Sequence, residues 1–139
     1  MRIRLLLLFL ISLLFFNCNT EDDSTVNLHP IVGEWQLIET RDGFSGGSTF
    51  YNQNDVVYKF NSDNTVDITS TIPEFESRIS TYEISFDCFI EGCPGNNGNI
   101  TDIITIDSNR NIIEQLDNSN LWFGQQIFDG LDFIFERLP

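Results

Sequence analysis

From Pro30 onward the chain repeats one pattern: short runs with apolar residues at every second position, cut by polar turns. A period of two is the mark of a half-buried strand, and no sustained 3.6-residue period competes with it. In Gly33 to Glu39, Trp35 and Leu37 share a face. In Val56 to Phe60, Val56, Tyr58 and Phe60 share one. Asn61-Ser62-Asp63-Asn64 then reads as a turn, and Thr65 to Ile72 returns with Val66, Ile68, Ser70 and Ile72 aligned. Arg78 to Phe86 groups Tyr82, Ile84 and Phe86. Ile100 to Ile106 is rich in Ile and Thr. Ser108-Asn109-Arg110-Asn111 reads as a turn, Ile112 to Leu116 pairs back, and Asn118-Ser119-Asn120 reads as another turn before Leu121-Trp122-Phe123. Leu131 to Leu138 aligns Leu131, Phe133, Phe135 and Arg137. Ser45 to Tyr51 is a weaker strand.

About eight short strands joined by short turns predict an all-β, antiparallel, up-and-down barrel, closed so that no edge stays unpaired. A two-layer sandwich is the alternative. At eight strands the interior is filled by side chains or holds one small ligand. The expected inward aromatics are Tyr58, Phe60, Tyr82, Phe86, Phe133 and Phe135. The Asp87 to Asn99 stretch is the longest connection, and it is expected at the mouth.

The front of the chain has a different character. Met1-Arg2-Ile3-Arg4 precedes an apolar run from Leu5 to Phe16, broken only by Ser12. A positive head before a short apolar stretch is a signal peptide, here residues 1–17. The run reaches only ~18 Å as a helix, too short for a ~30 Å hydrocarbon core. Phe15-Phe16-Asn17-Cys18 resembles the lipobox of bacterial lipoproteins, which implies acylation of Cys18. The acidic stretch Asn19-Thr20-Glu21-Asp22-Asp23 begins a tether that runs to Pro30. It resembles the surface-export signal of some Gram-negative lipoproteins, with the periplasmic face as the alternative. The chain carries 7 basic and 21 acidic residues, a formal charge of −14, and loss of Arg2 and Arg4 with the leader makes it −16. That excludes nucleic acid as a default partner, because phosphate recognition needs a Lys/Arg surface.

With Cys18 acylated, Cys88 and Cys93 remain as a pair. Export places them in an oxidising compartment, and Gly92 between them permits a turn, so a disulfide pinning a mouth loop is expected; free thiols are the alternative. A metal site needs more ligands, and the single histidine, His29, lies beside Pro30. The same placement removes a Ser-His-Asp or Cys-His arrangement. No catalytic residues, metal or cofactor are expected, and the acidic side chains read as a solvated surface.

Gly33-Glu34-Trp35 on the first strand, with Arg137 near the end of the last, resembles the G-x-W signature of lipocalins and their calycin relatives. There the Trp closes one end of the barrel under an Arg from the final strand. Ile31-Val32-Gly33-Glu34-Trp35-Gln36-Leu37 and Tyr58-Lys59-Phe60-Asn61-Ser62-Asp63-Asn64-Thr65 are similar to segments of small lipocalin-like lipoproteins of Gram-negative bacteria. That resemblance spans Ile31 to Pro139 and implies a monomeric, non-enzymatic module on the outer membrane. The ligand expected from an aromatic interior is small and apolar or amphipathic, contacted by Tyr58, Tyr82, Phe86 and Trp122. An inward Arg78 would prefer an anionic group on it. The competing function is an interaction protein without a small-molecule site, using an exposed aromatic patch around Trp122 or Phe44.

Overall fold

The alternating segments pair as strands, each antiparallel to its neighbours. The computed structural model describes residues 28–88, 100–125 and 130–139. The strands are β1 (Gly33–Asp42), β2 (Ser48–Phe50), β3 (Val56–Phe60), β4 (Thr65–Ser70) and β5 (Arg78–Cys88). They continue as β6 (Ile100–Ile106), β7 (Asn109–Leu116), β8 (Asn120–Gly124) and β9 (Leu131–Arg137). Sequence neighbours pair from β3 through β9, β3 pairs with the first half of β1, and β9 returns to β1 along its length. The short β2 lies on the second half of β1, opposite Glu39 to Arg41. The barrel is therefore closed by eight strands, β1 and β3–β9, with β2 as a flap on the longer β1. No helix occurs among the described residues. Residues 1–17, expected to be a leader, Cys18 and Cys93 lie outside them.

Two bulges adjust the closure. Leu37 opposes Phe135 and Glu39 opposes Ile134, so Ile38 is an extra residue on β1. Glu114 is the extra residue on β7, between Ile113 opposite Phe123 and Gln115 opposite Trp122. A bulge bends a strand and resets which side chains face in. Leu37 and Thr40 thus both point inward, three positions apart, while Glu39 stays outside and pairs with Arg41 at 2.7 Å.

The interior is a chain of rings. Phe133 meets Phe123 at 5.5 Å, Phe123 meets Phe135 at 5.3 Å, and Phe135 meets Tyr58 at 5.0 Å. Tyr58 leads to Phe60 at 6.3 Å, and Phe60 to Tyr82 at 5.0 Å, edge to face. Each such pair adds about 0.5–1.5 kcal/mol beyond the area it buries. Leu37, Val66, Ile68, Ile104 and Leu121 fill the spaces between them.

The end where β1 begins is shut. Trp35 is fully buried and donates from Nε1 to the Ile31 carbonyl at 2.7 Å. The Arg137 guanidinium lies 4.1 Å over the indole ring. Its Nη1 donates to Val32 O at 3.0 Å, and its Nη2 donates to Pro30 O. Gly33 sits at φ +140°, and a Cβ there would fall 2.4 Å from Arg137 Nη1. Glycine at this position leaves the room the guanidinium occupies.

Four expectations are corrected. Phe86 shares the parity of Tyr82 but is 71% exposed, because β5 runs past the filled interior toward Cys88. Trp122 points outward, since its neighbours Leu121 and Phe123 take the inward positions of β8; the Arg41 guanidinium covers its ring at 5.4 Å. The polar run read as a turn at Ser108 to Asn111 is mostly strand: Asp107, at φ 55°, makes a tighter reversal with Ser108, and Asn109 opposes Ile106. Finally, Cys88 and Ile100, which flank the longest connection, lie at the same end as the start of β1 and the β3–β4 and β7–β8 turns and not at the expected mouth; residues 89–99 themselves lie outside the described residues. Cys93 falls within that connection.

Candidate functional site

At the end opposite Trp35, the rings stop short of the rim. There β5 begins, β6 ends, β7 begins and β8 ends, and the space between them is an open pit of about 190 Å3. Its floor and one wall are apolar: Ile106, Phe123 and Phe133. Its polar lining is Tyr58, Arg78, Asn109, Asn111 and Gln125. Ligand pockets are most often larger, ~300–1,000 Å3, but share this mix of an apolar body and a few convergent polar groups.

Strand parity explains each position. Arg78 opens β5 opposite Ile68, on the row that includes Tyr58 and Trp35. Asn109 and Asn111 take alternate positions on β7 opposite Ile106 and Ile104, both core residues. Asn111 is 4% exposed and donates from Nδ2 to its neighbour's carbonyl, Asn109 O, at 3.2 Å. Gln125 follows the end of β8.

Arg78 is the cation of the pit. Its Nε donates to Ser80 Oγ at 3.1 Å and lies 3.8 Å from Asp107 Oδ2. Both contacts use the same nitrogen. The Nη1/Nη2 edge has no hydrogen-bond partner among the described residues, and that edge reads a carboxylate with two parallel bonds. Tyr58 is 7% exposed. Burial pushes its phenol above the usual range, opposed by the charge of Arg78 and reinforced by Tyr51. At pH 7 it stays a neutral donor or acceptor. Tyr51 in turn shares a 3.0 Å hydrogen bond with Thr40 Oγ1 and packs edge to face on Phe75 at 5.6 Å.

Of the residues singled out from the sequence, the structure brings Tyr58 and Arg78 together in the pit. Tyr82 lies elsewhere: its hydroxyl donates to the Asn61 carbonyl at 2.8 Å, tying β5 to the β3–β4 turn. Phe86 is near the shut end and Trp122 is on the outer face. Asn109, Asn111 and Gln125 went unnoticed because polar residues in a run suggest a turn. The signal that marks the first two is their spacing of two, continuing the alternation of Ile113 backwards. Among the described residues, no group of three or more His, Cys, Asp or Glu side chains is placed to hold a metal ion.

Comparison with family models, with curated proteins and with solved structures finds no match to this chain. The closed eight-stranded antiparallel barrel is compatible with a lipocalin-like calycin fold.

Proposed function

We propose that the chain is a lipid-anchored lipoprotein of the outer membrane whose lipocalin-like barrel, a monomer, binds a small amphipathic ligand without catalysis. The observation that carries this reading is the pit: donors and an apolar wall converge at the end away from the Trp35–Arg137 closure. In this reading residues 1–17 are the signal peptide, Cys18 carries the acyl chains, and residues 19–30 form the tether, with the outer face as the destination. Arg2 and Arg4 before the apolar run, and the acidic stretch after Cys18, support it. Cys88 and Cys93 form a disulfide in this proposal.

Native mass spectrometry of the full chain, extracted in detergent from its own cell envelope, tests the ligand. The expected result is a co-purifying small molecule that is lost on Asn109→Leu, a change at the rim. A clean unliganded mass, with no response of Trp122 or Trp35 fluorescence to candidate ligands, overturns it. That result favours a protein-contact role for Phe44 and Phe50, which are 82% and 74% exposed at the β1–β2 flap.

A further inference from the structure

The chemistry of the pit narrows the ligand further, on the premise that the pit is a ligand site. The chain has 21 acidic residues against 7 basic, yet none of the described residues lining the pit is acidic. One is Arg78, and Tyr58, Asn109, Asn111 and Gln125 can all present hydrogens. Among the described residues, the carboxylate paired with Arg78 is Asp107, which sits on the rim turn and reaches it only at 3.8 Å through Nε, leaving the forked Nη edge uncommitted. Phe123 and Phe133 give the pit an apolar lining, their ring centroids 5.5 Å apart. At about 190 Å3 the open pit has room for a ring or a short chain and not for the whole of a long acyl chain.

We infer that the ligand is a small carboxylate with a flat or compact apolar body, its carboxylate bridging the Arg78 guanidinium and its body resting on Phe123 and Phe133. A surface of net negative charge repels anions at long range, so an anion is held by these local donors and not drawn in by the field.

Calorimetric titration of the full chain in detergent micelles tests this, with benzoate, benzamide and palmitate as probes. Benzoate is expected to bind, with benzamide at least about tenfold weaker and palmitate silent. Arg78→Gln is expected to weaken benzoate about tenfold to a hundredfold, the range for a hydrogen bond to a charged group, and to leave benzamide unchanged. Arg78→Lys falls between. Arg78 heads its strand and its side chain is 44% exposed, so the variants should melt like the parent. Equal binding of benzoate and benzamide overturns the anion class while the pit stands as a ligand site. Benzoate binding that survives Arg78→Gln does the same. Silence from all probes, together with a clean native mass, removes the ligand site and this inference with it.

Discussion

Single carboxylates hold the turns of this barrel, and their protonation is a direct readout of the fold. Asp117 accepts from Ser119 N and Asn120 N at 2.8 Å each and from Gln115 Nε2 at 2.7 Å. These bonds favour the charged form and pull its pKa from 3.8 down to about 2, the Gln115 bond foremost. Asp63 is lowered in the same direction by the Thr65 hydroxyl and amide. Because the folded value lies below the unfolded one, the stabilisation is whole above pH ~4 and is lost as pH falls toward ~2. The expected outcome is an Asp117 carboxyl midpoint near 2 by NMR titration. Asp117→Asn should flatten the acid limb of the stability curve in that window and leave the neutral region little changed in slope.

At the scale of elements, β1 and β9 are joined by one device at their outer ends. Gly33 provides the space, Arg137 fills it, and Trp35 receives the cation on its face. Arg137→Met removes a shielded cation–π contact and charge-assisted bonds to Val32 and Pro30, at a cost of about 2–4 kcal/mol. Gly33→Ala costs about 1–3 kcal/mol for its backbone conformation alone, before the approach of its Cβ to Nη1. In the double variant that approach is relieved, so the two costs should sum to less than the parts. Urea unfolding of the four proteins measures this coupling; strict additivity would separate the glycine from the arginine. Alternation made these strands legible in the sequence, whereas the pairing of Trp35 with Arg137 was legible only through the resemblance to lipocalins. It could not show the extra residues Ile38 and Glu114, because a bulge is settled by the partner strand and leaves no local mark. It also hid Asn109 and Asn111, whose polarity outweighed their parity. Phe86 kept its parity and still missed the core, since parity says which way a side chain points and not whether anything lies there.

The whole chain carries a formal charge of −14, with most of its acids on a small barrel. Four salt bridges join described side chains, and most of their groups are well exposed, so they offset little of the repulsion among the other acids. Screening should therefore stabilise the fold. Raising ionic strength from ~0.01 M to ~1 M shortens the Debye length from ~30 Å to ~3 Å, and the melting temperature is expected to rise by several degrees. Calorimetry in sodium chloride checks the sign; a fall would mean that the ion pairs outweigh the repulsion.

A barrel wired by strict up-and-down steps also sorts its connections into two sets that never mix. Strands β4, β6 and β8 end at the pit, and β3, β5 and β7 end at the shut end. Lengthening the turn between β7 and β8 leaves the rim untouched, and redesigning the reversal at Asp107 leaves the Trp35 seal untouched. The two poles can accordingly drift, or be engineered, as independent modules, one bearing the pit and the other the Trp35–Arg137 seal.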